Sequence, residues 1–157
     1  MKPLESLSLK GRALRLLSAR EHSRAELERK LASHTPDAET LSQTLDELSA
    51  KGFLRDERVV ESVVHLRASR YGTQRVVNEL QRKGLSSELI RQAQDGLQST
   101  ELQRAWDVWH RKYEGAPQDN AEKLRQMRFL ASRGFSQEAI RRVFDLAKRG
   151  EQPQAAT

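Results

Sequence analysis

Four histidines, at 22, 34, 65 and 110, and 22 Asp and Glu carboxylates are the side chains here whose types could ligate a metal or move a proton. The histidines lie far apart, and none forms an H-E-x-x-H or H-x3-H pair, so their spacing points away from a metal site. The carboxylate pairs Asp46-Glu47 and Asp56-Glu57 are adjacent. On a helix such neighbours diverge by about 100 degrees, so they cannot share one catalytic proton and read as solvated or cap-proximal charges. There is no Cys, which excludes disulfides, thiol catalysis and Cys-based metal sites. There is also no G-x-x-x-x-G-K-[ST] loop, no G-x-G-x-x-G after a strand and no G-x-S-x-G. The expectation is a protein that is not an enzyme, with no catalytic residues, no metal and no cofactor.

What remains is cationic chemistry. The 157 residues hold 28 Lys and Arg, for a net charge of +6, and the isoelectric point near 10.0 favours an anionic partner. Charge alternates along the chain, with net +4 over 1–34, −4 over 35–66, +4 over 67–91, −1 over 92–114 and +4 over 115–149. A basic element that returns three times suggests a repeated unit. Arg75 and Arg82 lie seven apart, on one helix face away from Val76 and Leu80, and the preceding helix brings Arg67 and Arg70 to the same corner, with Lys83 at the helix end. Arg24 and Lys30 take the corresponding places earlier in the chain. Later, Arg125 and Arg128 are three apart, Arg133 closes their helix, and Arg141 and Arg142 follow on the next. Tyr71 sits outside any apolar stripe, beside Arg70, and is marked for partner contact. Trp106, Trp109 and Tyr113 continue a stripe from Leu102 and are assigned to the core rather than to base stacking.

These side chains need helices to position them. Leu occupies 21 positions against 8 Val and 2 Ile, which favours helix over strand. Lys83-Gly84-Leu85-Ser86-Ser87-Glu88-Leu89-Ile90-Arg91 matches Arg133-Gly134-Phe135-Ser136-Gln137-Glu138-Ala139-Ile140-Arg141 in its Gly, Ser, Glu, Ile and Arg, fifty positions later. In each, a basic residue ends a helix, Gly takes the left-handed position, a large apolar residue follows and Ser caps the next helix. Lys51-Gly52-Phe53 is a third stop of the same kind. Ser23 with Glu26 forms a capping box. Val59, Val63, Leu66 and Arg70 align with Leu102, Trp106, Trp109 and Tyr113 as one helix face met twice.

The fold class expected is therefore all-α. Three tandem three-helix repeats are expected to stack into an elongated, curved rod. The helices are placed over 11–20, 23–34 and 37–51, then 55–70, 72–83 and 86–97, then 99–113, 119–133 and 136–149. The repeats span 1–52, 53–97 and 98–149, and 150–157 forms a polar tail with little to pack. No apolar run reaches membrane-spanning length, and the start MKPLESLSLKGR lacks a secretory h-region, so the protein is expected to be cytoplasmic. Stacked units make a monomer the default.

Leu14-Arg15-Leu16-Leu17-Ser18-Ala19-Arg20-Glu21-His22-Ser23-Arg24-Ala25-Glu26-Leu27 resembles the opening motif of the RecX family of bacterial regulatory proteins. Gly52-Phe53-Leu54 with Asp56, Arg58 and Glu61 is similar to the same family. So are Tyr71-Gly72 with Arg75, Glu79, Leu80 and Lys83-Gly84, and Phe129-Leu130 with Arg133-Gly134-Phe135 and Ile140. The likeness runs from about residue 11 to residue 146. Val59-Val60 departs from it, since the family usually has an aromatic residue followed by Ala there. The resemblance implies a crescent of three three-helix repeats that binds the RecA protein and lodges in the groove of the RecA filament on single-stranded DNA. There it would block extension or promote disassembly, lowering strand exchange, ATP hydrolysis and coprotease activity. Weak direct DNA binding is consistent with that reading and with the alternative. A stand-alone helical DNA-binding protein is the alternative.

Overall fold

The computed structural model describes residues 7–154, and these form eight α-helices and one 3-10 turn with no strand among them. They are α1 (Leu9–Ala19), α2 (Arg24–Leu31) running into a 3-10 turn (Ala32–His34), α3 (Ala38–Ala50), α4 (Asp56–Arg67), α5 (Thr73–Arg82), α6 (Ser87–Lys112), α7 (Asn120–Ser132) and α8 (Gln137–Arg149). Residues 1–6 of the first expected repeat and 155–157 of the expected tail lie outside the described residues.

Local chemistry explains where the helices start and stop. Ser8, Ser23, Asp37, Ser86, Asp119 and Ser136 each accept a hydrogen bond from a first-turn backbone N–H, satisfying a donor that has no intrahelical partner. The Ser23–Glu26 capping box is complete. At the three expected stops, Gly52, Gly84 and Gly134 take φ of 82°, 72° and 90°. The N–H groups of Phe53, Leu85 and Phe135 then donate back to Leu48, Leu80 and Leu130, closing three Schellman turns.

Two expectations fail. The helices placed at 86–97 and 99–113 are one helix of 26 residues, α6. Ser99 and Thr100, which stand where a new N-cap would be needed, instead donate their hydroxyls back to the Gly96 and Leu97 carbonyls, and the helix continues through them. The boundary at 97/98 thus falls inside a helix. The second failure is Leu66, which is 60% exposed although its partner in the alignment, Trp109, is 2% exposed. α4 stops one residue later at Arg67, so Leu66 lies beyond the end of the covered stripe. Trp106 and Trp109 are core residues as expected, and the Trp109 Nε1–H donates to Gln126 Oε1 at 2.8 Å.

The core is in three parts. Leu27, Leu31, Leu45 and Leu48 anchor the first beneath α1–α3. Val59, Val76, Leu80 and Ile90 anchor the second beneath α4, α5 and the start of α6. Trp109, Leu130, Ile140 and Val143 anchor the third, where the end of α6 packs on α7 and α8. Each fully buried side chain of this size contributes about 1.5–3 kcal/mol of transfer free energy.

The seams between units are polar and repeat one another. At the first, the Ser23 hydroxyl donates to the Lys83 carbonyl, Lys83 Nζ lies 3.6 Å from Glu26, and a Cβ on Gly84 would fall 2.5 Å from Ala25 Cβ. Arg58 pairs with Glu21 at 3.0 Å, and the Arg24 N–H donates to Asp56 Oδ1 at 3.0 Å. At the second seam, the Gly72 N–H donates to the Arg133 carbonyl at 2.7 Å, and Gly134 leaves no room for a Cβ, which would fall 2.6 Å from Arg75 Cβ. In both, the start of one unit's second helix sits on the C-terminal turn of the next unit's second helix.

Glu26 makes the first seam sensitive to acid. Burial alone would raise its carboxyl. The Arg20 guanidinium at 2.8 Å, the Ser23 N–H and Lys83 outweigh that and hold it at about 2, below the ordinary 4.5. A depressed carboxyl contributes stability that is present above its unfolded pKa near 4.5 and is lost as the pH falls toward 2. In thermal unfolding followed from pH 6 to pH 2, Glu26→Gln is expected to start lower than the wild type and to decline less between 4.5 and 2. Parallel declines would remove Glu26 as the acid-sensitive group.

Candidate functional site

Residues 68–72 turn the chain from α4 into α5 directly over the second seam. With Gly72 bonded to the Arg133 carbonyl, Tyr71 stands between two cations. The Arg75 guanidinium lies 4.1 Å from the Tyr71 ring centroid and that of Arg133 lies 5.6 Å away. Arg133 also sits 5.2 Å from the Phe129 ring, and Lys112 Nζ lies 4.0 Å from the same ring. Tyr113 meets Phe129 edge to face at 5.8 Å. The result is a ladder that alternates cation and ring: Arg75, Tyr71, Arg133, Phe129, Lys112. Each such contact is worth about 0.5–1 kcal/mol at exposed sites. It also fixes long side chains in advance, which lowers the entropy lost when a ligand binds.

A depression flanks the ladder on either side. One, of about 250 Å³, is lined by Arg67, Tyr71, Arg75, Val76, Glu79 and Arg82. Its single carboxylate, Glu79, is engaged by Arg67 at 3.3 and 3.4 Å, so the remaining charge is positive. The other, of about 490 Å³, is lined by Arg70, Val108, Arg111, Lys112, Phe129 and Arg133, with no carboxylate among the described residues. Arg75 reaches across the seam to the Ser132 carbonyl at 3.1 Å, and Arg111 reaches the Ser69 carbonyl at 2.8 Å. Fixed guanidinium forks bind phosphate or carboxylate oxygens, and ring and guanidinium planes accept unpaired bases.

Of the thirteen residues expected at the site, the structure brings together Arg67, Arg70, Tyr71, Arg75, Arg82 and Arg133 along this strip. Arg125 lies one helical turn before Phe129 on the same face of α7, while Arg128 is rotated about 100 degrees from Phe129. Arg141 and Arg142 are exposed on α8 and take no part in the ladder. Two others are occupied elsewhere. Arg24 pairs with Asp46 at 2.8 Å and Glu28 at 3.2 Å and donates to Ser42, inside the first unit. Lys83 faces Glu26 in the first seam. Lys30 lies 3.2 Å from Nε2 of His22, a buried histidine whose pKa burial pushes down.

Sequence reasoning missed Phe129 as a ring of the ladder, Arg111 and Lys112 as its basic end, and Arg29, which donates to the Arg82 carbonyl at 3.1 Å. The run His110-Arg111-Lys112 at the end of α6 was the available signal. It also missed Arg104, whose guanidinium bonds the carbonyls of Ala68, Tyr71 and Leu97 and the hydroxyls of Thr73 and Thr100. That residue holds the turn beneath the strip.

Family models match the chain in three successive pieces. Residues 10–48 match the first RecX three-helix domain, 56–93 the second and 99–144 the third. A relative named Regulatory protein RecX from Leptothrix cholodnii is 52% identical over 141 residues, covering 90% of each chain. Another of the same name from Herbaspirillum seropedicae is 44% identical over 145 residues, covering 92% of this chain and 94% of its own. The crystal structure of RecX from Lactobacillus salivarius superposes with a TM-score of 0.76 at 19% identity, covering 90% of this chain and 95% of that one, which is a likeness of fold.

Proposed function

The chain belongs to the RecX family of regulatory proteins, and on that premise we propose that it restrains RecA by lodging its basic strip in the groove of the RecA filament on single-stranded DNA. There it blocks extension or promotes disassembly, so that strand exchange, ATP hydrolysis and coprotease activity fall. It acts as a cytoplasmic monomer of three repeats, 1–52, 53–97 and 98–149. The observation that carries this reading is the ladder across the second seam. It concentrates pre-ordered cations on a surface shared by two units, suited to an extended anionic groove rather than to a small molecule.

The alternative, a stand-alone helical DNA reader, needs a helix N-terminus free to enter the major groove. The first turn of α5 is packed on Gly134 with its Thr73 N–H bonded to Glu101, and that of α2 is packed on Gly84. The α8 cap, Ser136, also donates to Glu101. These contacts favour the filament reading.

The test is the DNA-dependent ATPase of RecA on single-stranded DNA, titrated with this protein well below the RecA concentration. Inhibition at substoichiometric amounts supports filament regulation, whereas an effect only when the protein coats the DNA supports competition for phosphates. Arg70→Glu with Arg82→Glu, at two exposed strip positions, is expected to raise the concentration for half-inhibition by about tenfold or more with unchanged far-UV circular dichroism. Unchanged inhibition would remove the strip from the account.

A further inference from the structure

Independently of the strip and of RecA, we infer that the first unit carries a second binding site, a groove between α1 and α2 that takes an acidic amphipathic segment of a partner protein. The groove, of about 360 Å³, has an aliphatic floor of Leu16, Ala19 and Leu31. Arg12, Arg15, Lys30 and His34 form its rim, and among the described residues no carboxylate lines it. Arg12, Arg15, Leu16 and Ala19 follow the i, i+3, i+4, i+7 register of a helix, so they form one stripe along α1 facing the end of α2 and its 3-10 turn.

The charge pattern selects the occupant. Elsewhere in this unit Lys10, Arg20, Arg24 and Lys51 each pair with a carboxylate. Among the described residues Arg12 and Arg15 have no such partner, and Lys30 meets only His22. Arg29, which donates to the Arg82 carbonyl, is also without a carboxylate among the described residues and lies outside the groove, so of the unneutralised cations it is Arg12, Arg15 and Lys30 that share one apolar floor. A helix in a groove presents apolar anchors at i and i+4 with carboxylates flanking them, which is the complement of this arrangement. Nucleic acid is the poorer fit, because the only ring among the described lining residues is the small imidazole of His34, whereas the strip over the second seam offers the larger rings of Tyr71 and Phe129.

The probe is a short fluorescein-labelled peptide, rich in Glu with two Leu four residues apart, followed by fluorescence anisotropy with the full chain. Saturable binding is expected. It should weaken by about tenfold or more in Arg12→Glu with Arg15→Glu, and by a similar factor when both peptide leucines are replaced by serine. Ala19→Glu, at an exposed position on the floor, is a second variant that leaves the rim intact and is expected to weaken binding as well. An unlabelled single-stranded oligonucleotide should not displace the peptide at equal concentration. Absence of binding, equal binding of the serine peptide, no effect of either variant, or ready displacement by the oligonucleotide would each overturn the inference. Because none of these readouts involves RecA, failure here leaves the ATPase test standing, and the reverse holds too.

Discussion

Gly72→Ala is expected to lower the free energy of unfolding by about 3 kcal/mol and, on the function proposed above, to remove inhibition of RecA. The cause is not backbone strain, since Gly72 has φ of −73° and any residue adopts that conformation. It is space: a Cβ at 72 would overlap the carbonyl of Gly134 and the nitrogen of Phe135. Backbone atoms cannot rotate away as a side chain can, so the seam must open. Opening it breaks the Gly72–Arg133 hydrogen bond and parts Tyr71 and Arg75 from Arg133, dismantling the ladder. Gly96→Ala is the control. Its Cβ would meet nothing within 4 Å, and its place inside α6 predicts a gain of about 0.5–1 kcal/mol from helix propensity. Urea unfolding of the two variants beside the wild type decides the matter. If Gly72→Ala unfolds at the wild-type midpoint, the second seam is not the tight contact described.

Arg104→Ala carries the second large effect, a loss of about 3 kcal/mol. One guanidinium serves the Tyr71 carbonyl at 2.6 Å, Leu97 at 2.8 Å, Ala68 at 3.1 Å and two hydroxyls, all around the turn that precedes α5. Burial pulls its pKa below the ordinary arginine value while the charge on Glu101 opposes that, and an arginine so placed stays charged at neutral pH. Truncation strands several half-buried acceptors at once. Arg104→Lys should recover less than half of the loss, because a single ammonium cannot reproduce a planar fork that reaches five acceptors. Urea unfolding gives the stability, and amide hydrogen exchange at residues 70–73 should accelerate in both variants. Full recovery with lysine would mean that charge alone, and not the fork, holds the turn.

The two seams differ in what crosses them. α6 runs unbroken from the second core into the third, and the backbone of Gly72 bonds the backbone of Arg133. Between the first and second units the contacts named above are ion pairs, single hydrogen bonds and the close approach of Gly84 to Ala25, with no apolar cluster among the described residues shared between them. Their ion pairs weaken with salt, and the Glu26 carboxylate loses its contribution in acid, as the Glu26 prediction states.

Helix types and most of their limits were legible in the sequence. Ser23 with Glu26, and the Lys-Gly-Phe, Lys-Gly-Leu and Arg-Gly-Phe stops, act through hydrogen bonds within five residues, so their chemistry is local. The three basic blocks were legible too, and six of the thirteen residues drawn from them meet on the strip. Arg24 and Lys83 were not separable from the rest, because the carboxylates that engage them, Asp46 and Glu26, come from other helices. The continuity of α6 was missed because Ser99 and Thr100 resemble caps in sequence, and only the direction of their hydroxyls distinguishes a cap from a mid-helix back-bond.

The sequence by itself determined an all-helical chain of three similar units, each with its own core, since apolar stripes and caps are set by neighbours a few positions away. The tertiary structure decided which cations face a common surface, that Tyr71 and Phe129 are interleaved between them, and that position 72 admits no side chain. Those outcomes depend on groups about 60 residues apart meeting across a seam, and the angle of that seam is set by backbone contact at Gly72 and Gly134, which leaves no periodic trace along the chain.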